Sequence, residues 1–111
     1  HFEPIVEGMW RGVNVGGTST VARLDGWDVC GKTGTAQNPQ GRDHSTFLSF
    51  APKDNPKIAI SVYVENGGFG ASAALPIASL LEEYYLTDTI RRPALLDYVR
   101  NMTINYPAYD R

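Results

Sequence analysis

The sequence predicts an α+β fold in which helices pack on a three-stranded antiparallel meander. Three observations lead there. Apolar residues recur at helical spacing near the start of the chain and again after residue 71. Three runs of β-branched and aromatic residues occupy the middle. Short clusters of Gly, Pro, Asn and Asp separate those runs, which suits hairpin connections better than crossovers.

Phe2, Ile5, Val6, Met9, Trp10 and Val13 stand three or four apart. They form one apolar stripe and predict a helix over Phe2–Val15. Pro4 suits a first turn, Glu3 and Glu7 suit its electropositive end, and Gly16-Gly17 stops it. Thr18–Leu24 reads as a short helical turn, and Asp25-Gly26 as a turn. The strands are expected at about Asp28–Gln37, Ser45–Ala51 and Lys57–Glu65. Asn38-Pro39-Gln40-Gly41 and Pro52-Lys53-Asp54-Asn55-Pro56 break the chain between them. The near-continuous Ile58-Ala59-Ile60-Ser61-Val62-Tyr63-Val64 predicts a strand covered on both faces. After the loop Asn66–Gly70, Ala71–Leu86 reads as a helix with Leu80, Leu81, Tyr84 and Tyr85 on its apolar face. Pro76 sits in its first turns or kinks it. A last short helix is expected over Ala94–Met102, and Thr103–Arg111 shows no period.

Composition narrows the function. The chain has 111 residues, 42% hydrophobic, with a formal net charge of −2. That length suits one domain. No basic run exceeds Arg91-Arg92, so no nucleic-acid footprint is visible. No apolar run is long enough to span a bilayer, and no signal peptide is visible. The absence of an initiator Met suggests a start inside a longer reading frame or after processing. A single cysteine and two histidines leave no disulfide framework and no Cys- or His-rich metal centre. No metal or organic cofactor is implied.

One stretch carries two incompatible motifs. Gly26-Trp27-Asp28-Val29-Cys30-Gly31-Lys32-Thr33 matches the phosphate-binding pattern G-x-x-x-x-G-K-[ST]. That chemistry needs a helix directly after the loop, so that its N-terminal amides face the phosphates. Here Gly34, Thr35 and Pro39 follow, all poor helix residues, and Asp28 puts a negative charge in the cradle. The second motif is Lys32-Thr33-Gly34 on a strand, one of three signatures of β-lactamases and penicillin-binding proteins. By alternation Lys32 and Gly34 share one face and Thr33 and Thr35 the other. A Lys ammonium suits a substrate carboxylate, and a glycine lets a peptide backbone approach closely. A strand edge can then add an extended peptide by main-chain hydrogen bonds.

The wider stretch Cys30-Gly31-Lys32-Thr33-Gly34-Thr35-Ala36-Gln37 resembles the third motif of penicillin-binding proteins. Asp43-His44-Ser45, Phe50-Ala51-Pro52, Ile58–Val64, Glu65-Asn66-Gly67-Gly68 and the Ala-rich helix follow in the family's order. The resemblance covers about residues 2–87 and is closest to class B transpeptidases of the penicillin-binding protein 2 type. It implies part of the serine β-lactamase and transpeptidase fold. It assigns Lys32 and Thr33 to substrate positioning and proton traffic, Gly34 to close approach of the substrate and the Thr35 N–H to an oxyanion hole. It implies a peptidoglycan stem peptide and β-lactams as ligands, cell-wall synthesis proteins as partners and an extracytoplasmic location. No cofactor comes with it.

The chain departs from the family in what it lacks. Residues three before Lys32, Lys53 and Lys57 are Val29, Phe50 and Asp54, so no S-x-x-K is present. No Ser is followed two places later by Asn. Both motifs lie upstream of K-T-G in the family. The chain therefore reads as a C-terminal portion, residues 1–87, with an extension over 88–111, inactive without an N-terminal remainder. The alternative is a non-catalytic module that binds a peptide or partner on the same strand edge.

The remaining chemistry-bearing residues read blandly. Asp43-His44-Ser45 cannot converge as a triad, because neighbours on an extended chain point apart. His44 is expected at a strand edge near the site. Cys30 is expected as a buried thiol rather than a nucleophile beside Lys32. Tyr84, Tyr85 and Tyr98 are expected as core contacts. Gly67–Gly70 could contact substrate or merely connect two elements. Asn101-Met102-Thr103 matches a glycosylation pattern with no meaning expected. Apolar faces left uncovered would favour association.

Overall fold

The computed structural model describes residues 2–103. Its elements are α1 (Glu3–Asn14), a single 3₁₀ turn (Thr20–Ala22), β1 (Cys30–Ala36), β2 (His44–Ala51), β3 (Ile58–Val64), α2 (Ala74–Thr87) and α3 (Pro93–Arg100). The strands form one sheet in the order β1-β2-β3, with both pairs antiparallel. This is the predicted meander. The stretch after Thr33 continues as a strand, which removes the phosphate-loop reading.

The pairing register sorts the sheet into two faces. On one lie the rows Gly31–Ser49–Ile60, Thr33–Phe47–Val62 and Thr35–Ser45–Val64. This face is covered. Phe47, Ser45 and Ser49 are fully buried, and Phe47 joins Val13 of α1 and Leu75 and Ala78 of α2 in the core. Gly31 is needed there, because a Cβ would stand 2.5 Å from the Phe47 ring and 3.3 Å from Val13. On the other face lie the rows Cys30–Phe50–Ala59, Lys32–Leu48–Ser61 and Gly34–Thr46–Tyr63. This face is open around Leu48, 50% exposed, and Tyr63, 58% exposed, while Cys30 at its end is fully buried.

Three expectations about burial are corrected. β3 is not covered on both faces, since it alternates between half-buried and exposed positions. Only its Ile60, Val62 and Val64 side meets the core. In α1, Val13 alone is fully buried, while Phe2 and Ile5 are exposed. In α2 the expected apolar face is only partly buried: Leu80 is buried as expected, but most buried positions lie elsewhere on the helix. Leu75, Ala78, Ser79 and Glu82 are buried, whereas Leu81, Tyr84 and Tyr85 are exposed. Tyr98 is also exposed, its hydroxyl donating to the Ser72 carbonyl at 2.6 Å. None of the three tyrosines is a core residue.

Other boundaries shift little. Pro76 stands in the first turn of α2, where it costs no internal hydrogen bond. That helix has no side-chain cap of its own. Ser45 of β2 supplies one, its hydroxyl accepting the Ala74 N–H at 3.0 Å. Residues 88–103 dock back onto α2: Arg92 donates from Nε to Glu83 at 3.0 Å and from Nη2 to the Ser79 hydroxyl at 2.8 Å. The aperiodic tail lies outside the described residues beyond Thr103.

Candidate functional site

β1 is an edge strand, so half of its backbone groups face away from β2 with no strand beyond them among the described residues. Lys32, Thr33, Gly34 and Thr35 all lie on it. Lys32 is exposed, and its Nζ donates to the Thr33 carbonyl at 2.8 Å. The Thr33 hydroxyl lies 3.4 Å from that of Thr18. Thr18 arrives on the tight loop after α1, where Gly16 adopts a φ of +77° and the Ser19 N–H bonds the Gly12 carbonyl. Gly34 leaves the strand surface bare: a Cβ there would stand 2.4 Å from the Thr46 hydroxyl.

The loop between β3 and α2 lies against this strand. Gly70 is in contact with the backbone of the Gly34–Thr46 pair, and a Cβ on it would meet the Gly34 and Thr46 carbonyls at 2.6 Å. Its N–H points to the Thr35 hydroxyl at 3.4 Å. Ser45 donates to the Phe69 carbonyl at 2.8 Å. Asn66 is held in a left-handed conformation, φ 57°. Its N–H donates to His44 Nδ1 at 3.0 Å, so the imidazole proton sits on Nε2.

The structure thus brings Lys32, Thr33, Gly34 and Thr35 together at one end of an open strand edge. Asp43, His44 and Ser45 do not converge. Asp43 accepts the Asn38 N–H at 3.0 Å, His44 faces Asn66, and Ser45 faces residues 69 and 74. Cys30 is fully buried, and burial pushes its thiol up to about 11, so it is protonated at neutral pH. Among the described residues no group of His, Cys, Asp and Glu is placed to hold a metal ion.

Two buried carboxylates went unforeseen in the sequence. Glu82 is fully buried on α2, and both its oxygens lie 2.8–3.0 Å from the one Ser49 hydroxyl. Burial pushes its carboxyl up to about 7, against the opposing pull of the Ser49 bond and of Arg92. Glu83 is paired with Arg92 and accepts the Arg91 N–H at 3.0 Å. Both lie on the helix side of the sheet, away from Lys32. They hold the fold together and are not placed to touch a ligand on β1.

Comparison with known proteins identifies the family. Residues 1–81 match the family model described as the penicillin binding protein transpeptidase domain. Peptidoglycan D,D-transpeptidase MrdA of Haemophilus influenzae is 37% identical over 106 residues, and its counterpart in Acinetobacter baumannii 38% over 92. These alignments cover 80% and 69% of the chain but only 16% and 14% of the relatives. Among solved structures, PBP2 of Pseudomonas aeruginosa superposes with a TM-score of 0.67 at 36% identity, covering 78% of this chain and 19% of that one. An imipenem acyl-enzyme of penicillin-binding protein A from M. tuberculosis gives 0.60 at 30% identity, covering 75% and 19%. The chain belongs to the penicillin-binding protein transpeptidase family.

Proposed function

We propose that this chain is the C-terminal portion of a peptidoglycan D,D-transpeptidase domain, in residues 1–87, followed by an extension over 88–111. In this reading it forms the wall that holds the stem peptide, and β-lactams in its place. One observation carries the reading: Lys32-Thr33-Gly34 stands on a strand whose outer edge has no strand beside it among the described residues. A peptide laid along that edge gains main-chain hydrogen bonds. The Lys32 ammonium leaves the Thr33 carbonyl for the substrate carboxylate, a stronger charge-assisted partner. The Thr33 hydroxyl relays or steadies a proton, and the Thr35 N–H stabilises the developing oxyanion.

The nucleophile comes from outside these residues, as the missing S-x-x-K requires. A serine Oγ attacks the carbonyl carbon of the penultimate D-Ala. The amide C–N bond breaks, the leaving amine takes a proton, and terminal D-Ala departs. An amine of a second stem peptide then attacks the ester, and the serine recovers its proton. A β-lactam carbonyl is attacked in the same way. In this reading the site works where its peptidoglycan substrate lies, on the extracytoplasmic side. No helix of the described residues is long and apolar enough to cross a membrane.

The test is labelling with a fluorescent penicillin. The product of the whole reading frame containing this chain should label, and the isolated 111-residue chain should not. Labelling of the isolated chain would overturn the missing-nucleophile reading. A reading frame without S-x-x-K and S-x-N upstream, whose product binds peptide yet never labels, would establish the non-catalytic binding module instead.

A further inference from the structure

We propose that Asn38, Asp43, His44 and Asn66 form a latch that positions the Gly34–Thr35 segment of β1 through the loop of residues 66–70. The inference rests on the transpeptidase reading and adds positioning residues to it.

That loop connects β3 to α2 and crosses the end of the β1–β2 hairpin. It is bonded at nearly every residue. The Asn66 N–H donates to His44 Nδ1 at 3.0 Å, and Asn66 Oδ1 accepts from Asn38 Nδ2 at 3.0 Å. The Gly68 N–H donates to the Asp43 carbonyl at 2.8 Å. Beyond the cluster, the Phe69 carbonyl accepts from Ser45 and the Gly70 N–H reaches Thr35. Asn38 is itself fixed at both ends, its N–H donating to Asp43 Oδ1 and its Nδ2 also reaching the Arg42 carbonyl at 3.1 Å. The latch therefore joins the turn after β1, the start of β2 and the end of β3.

The arrangement fixes more than a connection requires. Asn66 and Gly68, both left-handed, aim their amides at the hairpin, while the Gly67 N–H between them turns back to the Val64 carbonyl. Gly70 then sits so close to the Gly34 backbone that no side chain fits between. A shift of the loop must move Gly70, and Gly70 is the floor under Gly34 and Thr35. The substrate-facing edge of β1 is held from behind by a loop pinned some distance from it. A displacement of about 1 Å at a reacting group can cost up to about 100-fold in rate.

Asp43 separates positioning from chemistry. Its side chain is used here only as an acceptor for the Asn38 N–H, a role an amide oxygen fills equally well. In the reading-frame product, D43A should slow β-lactam acylation by about 10- to 100-fold in the acylation step, with the prior binding constant little changed. D43N should restore the rate. In the same proteins, amide hydrogen exchange at Asn66, Gly68 and Gly70 should quicken in D43A and return to normal in D43N. Unchanged exchange in D43A overturns the latch, whatever acylation does. Faster exchange with an unaltered acylation rate overturns its link to the site. Failure of D43N to rescue assigns Asp43 a role as a charge and also overturns the proposal. A wild-type product that never acylates refutes the transpeptidase reading and the catalytic use of the latch with it, and the exchange data then report on the loop alone.

Discussion

The two faces of the sheet meet different surroundings. The covered face contains Phe47 and Val13 but also Ser45, Ser49 and Glu82, all fully buried and all bonded. The open face contains Lys32 and Gly34 beside Leu48 and Tyr63, which stay exposed. Polarity alone would assign them the other way round. Placement is decided by contact: α1 and α2 lie on the Phe47 side, so whatever stands there must be satisfied internally. The lesson is that burial alternates along β2 and β3, whereas the residues proposed to meet a ligand, Lys32, Thr33, Gly34 and Thr35, run consecutively along the β1 edge and belong to both faces.

That division is sharpest along β2, where neighbours differ only in the side they face. Phe47→Ala should cost about 3–5 kcal/mol, because a fully buried ring leaves a cavity. Leu48→Ala, one residue on, should cost under about 1 kcal/mol. Urea unfolding of the pair measures the difference, and equal losses would break the comparison.

Glu82 gives the next largest effect. Its carboxyl is raised from 4.5 to about 7 in the folded chain. The folded state therefore favours the protonated acid. Its contribution is complete below pH 4.5 and fades as pH rises through about 7. A rise of that size corresponds to about 3 kcal/mol lost between those limits. Glu82→Gln should keep the Ser49 contact and flatten the profile between pH 4.5 and 8. A wild-type stability that rises over that interval would contradict the assignment.

How much of this was legible in the sequence follows the same division. The strands were readable because turn clusters at 38–41 and 52–56 bound them. The candidate site on β1 was readable because its motif is carried by the identities and adjacency of Lys32, Thr33 and Gly34. The buried face of α2 was not readable, since Glu82 looks like a solvated residue until Ser49, 33 residues away, is brought against it. Tyr84 and Tyr85 misled for the converse reason: they are large and apolar, yet they stay exposed while Leu75, Ala78 and Glu82 of the same helix are buried. The loop latch was invisible because the groups it holds are main-chain atoms of residues 66–70, marked in sequence only by glycines.

The glycines provide a smaller, more local contrast. Gly70→Ala forces a Cβ to within 2.6 Å of two carbonyl oxygens, which cannot rotate away. About 1–3 kcal/mol should be lost. Gly34→Ala meets the Thr46 hydroxyl, the end of a side chain that can turn aside. Its unfolding midpoint should move less, while acylation of the reading-frame product by a β-lactam falls. Thermal unfolding and acylation rates measured together separate the two. A larger stability loss in Gly34→Ala would show that the strand surface there is structural.

The smallest stability effect accompanies the central claim, that the exposed edge of β1 holds the ligand. Lys32 is exposed and, among the described residues, bonded to its own strand alone, so Lys32→Ala should change stability by no more than about 0.5 kcal/mol. Loss of a charge-assisted contact should nevertheless slow β-lactam acylation of the reading-frame product by about 10- to 100-fold. The most direct measurement is the acylation rate constant of Lys32→Ala against wild type, taken on preparations with matched unfolding midpoints. A 10-fold or greater loss at unchanged stability is the predicted result. An unaltered rate would contradict the account.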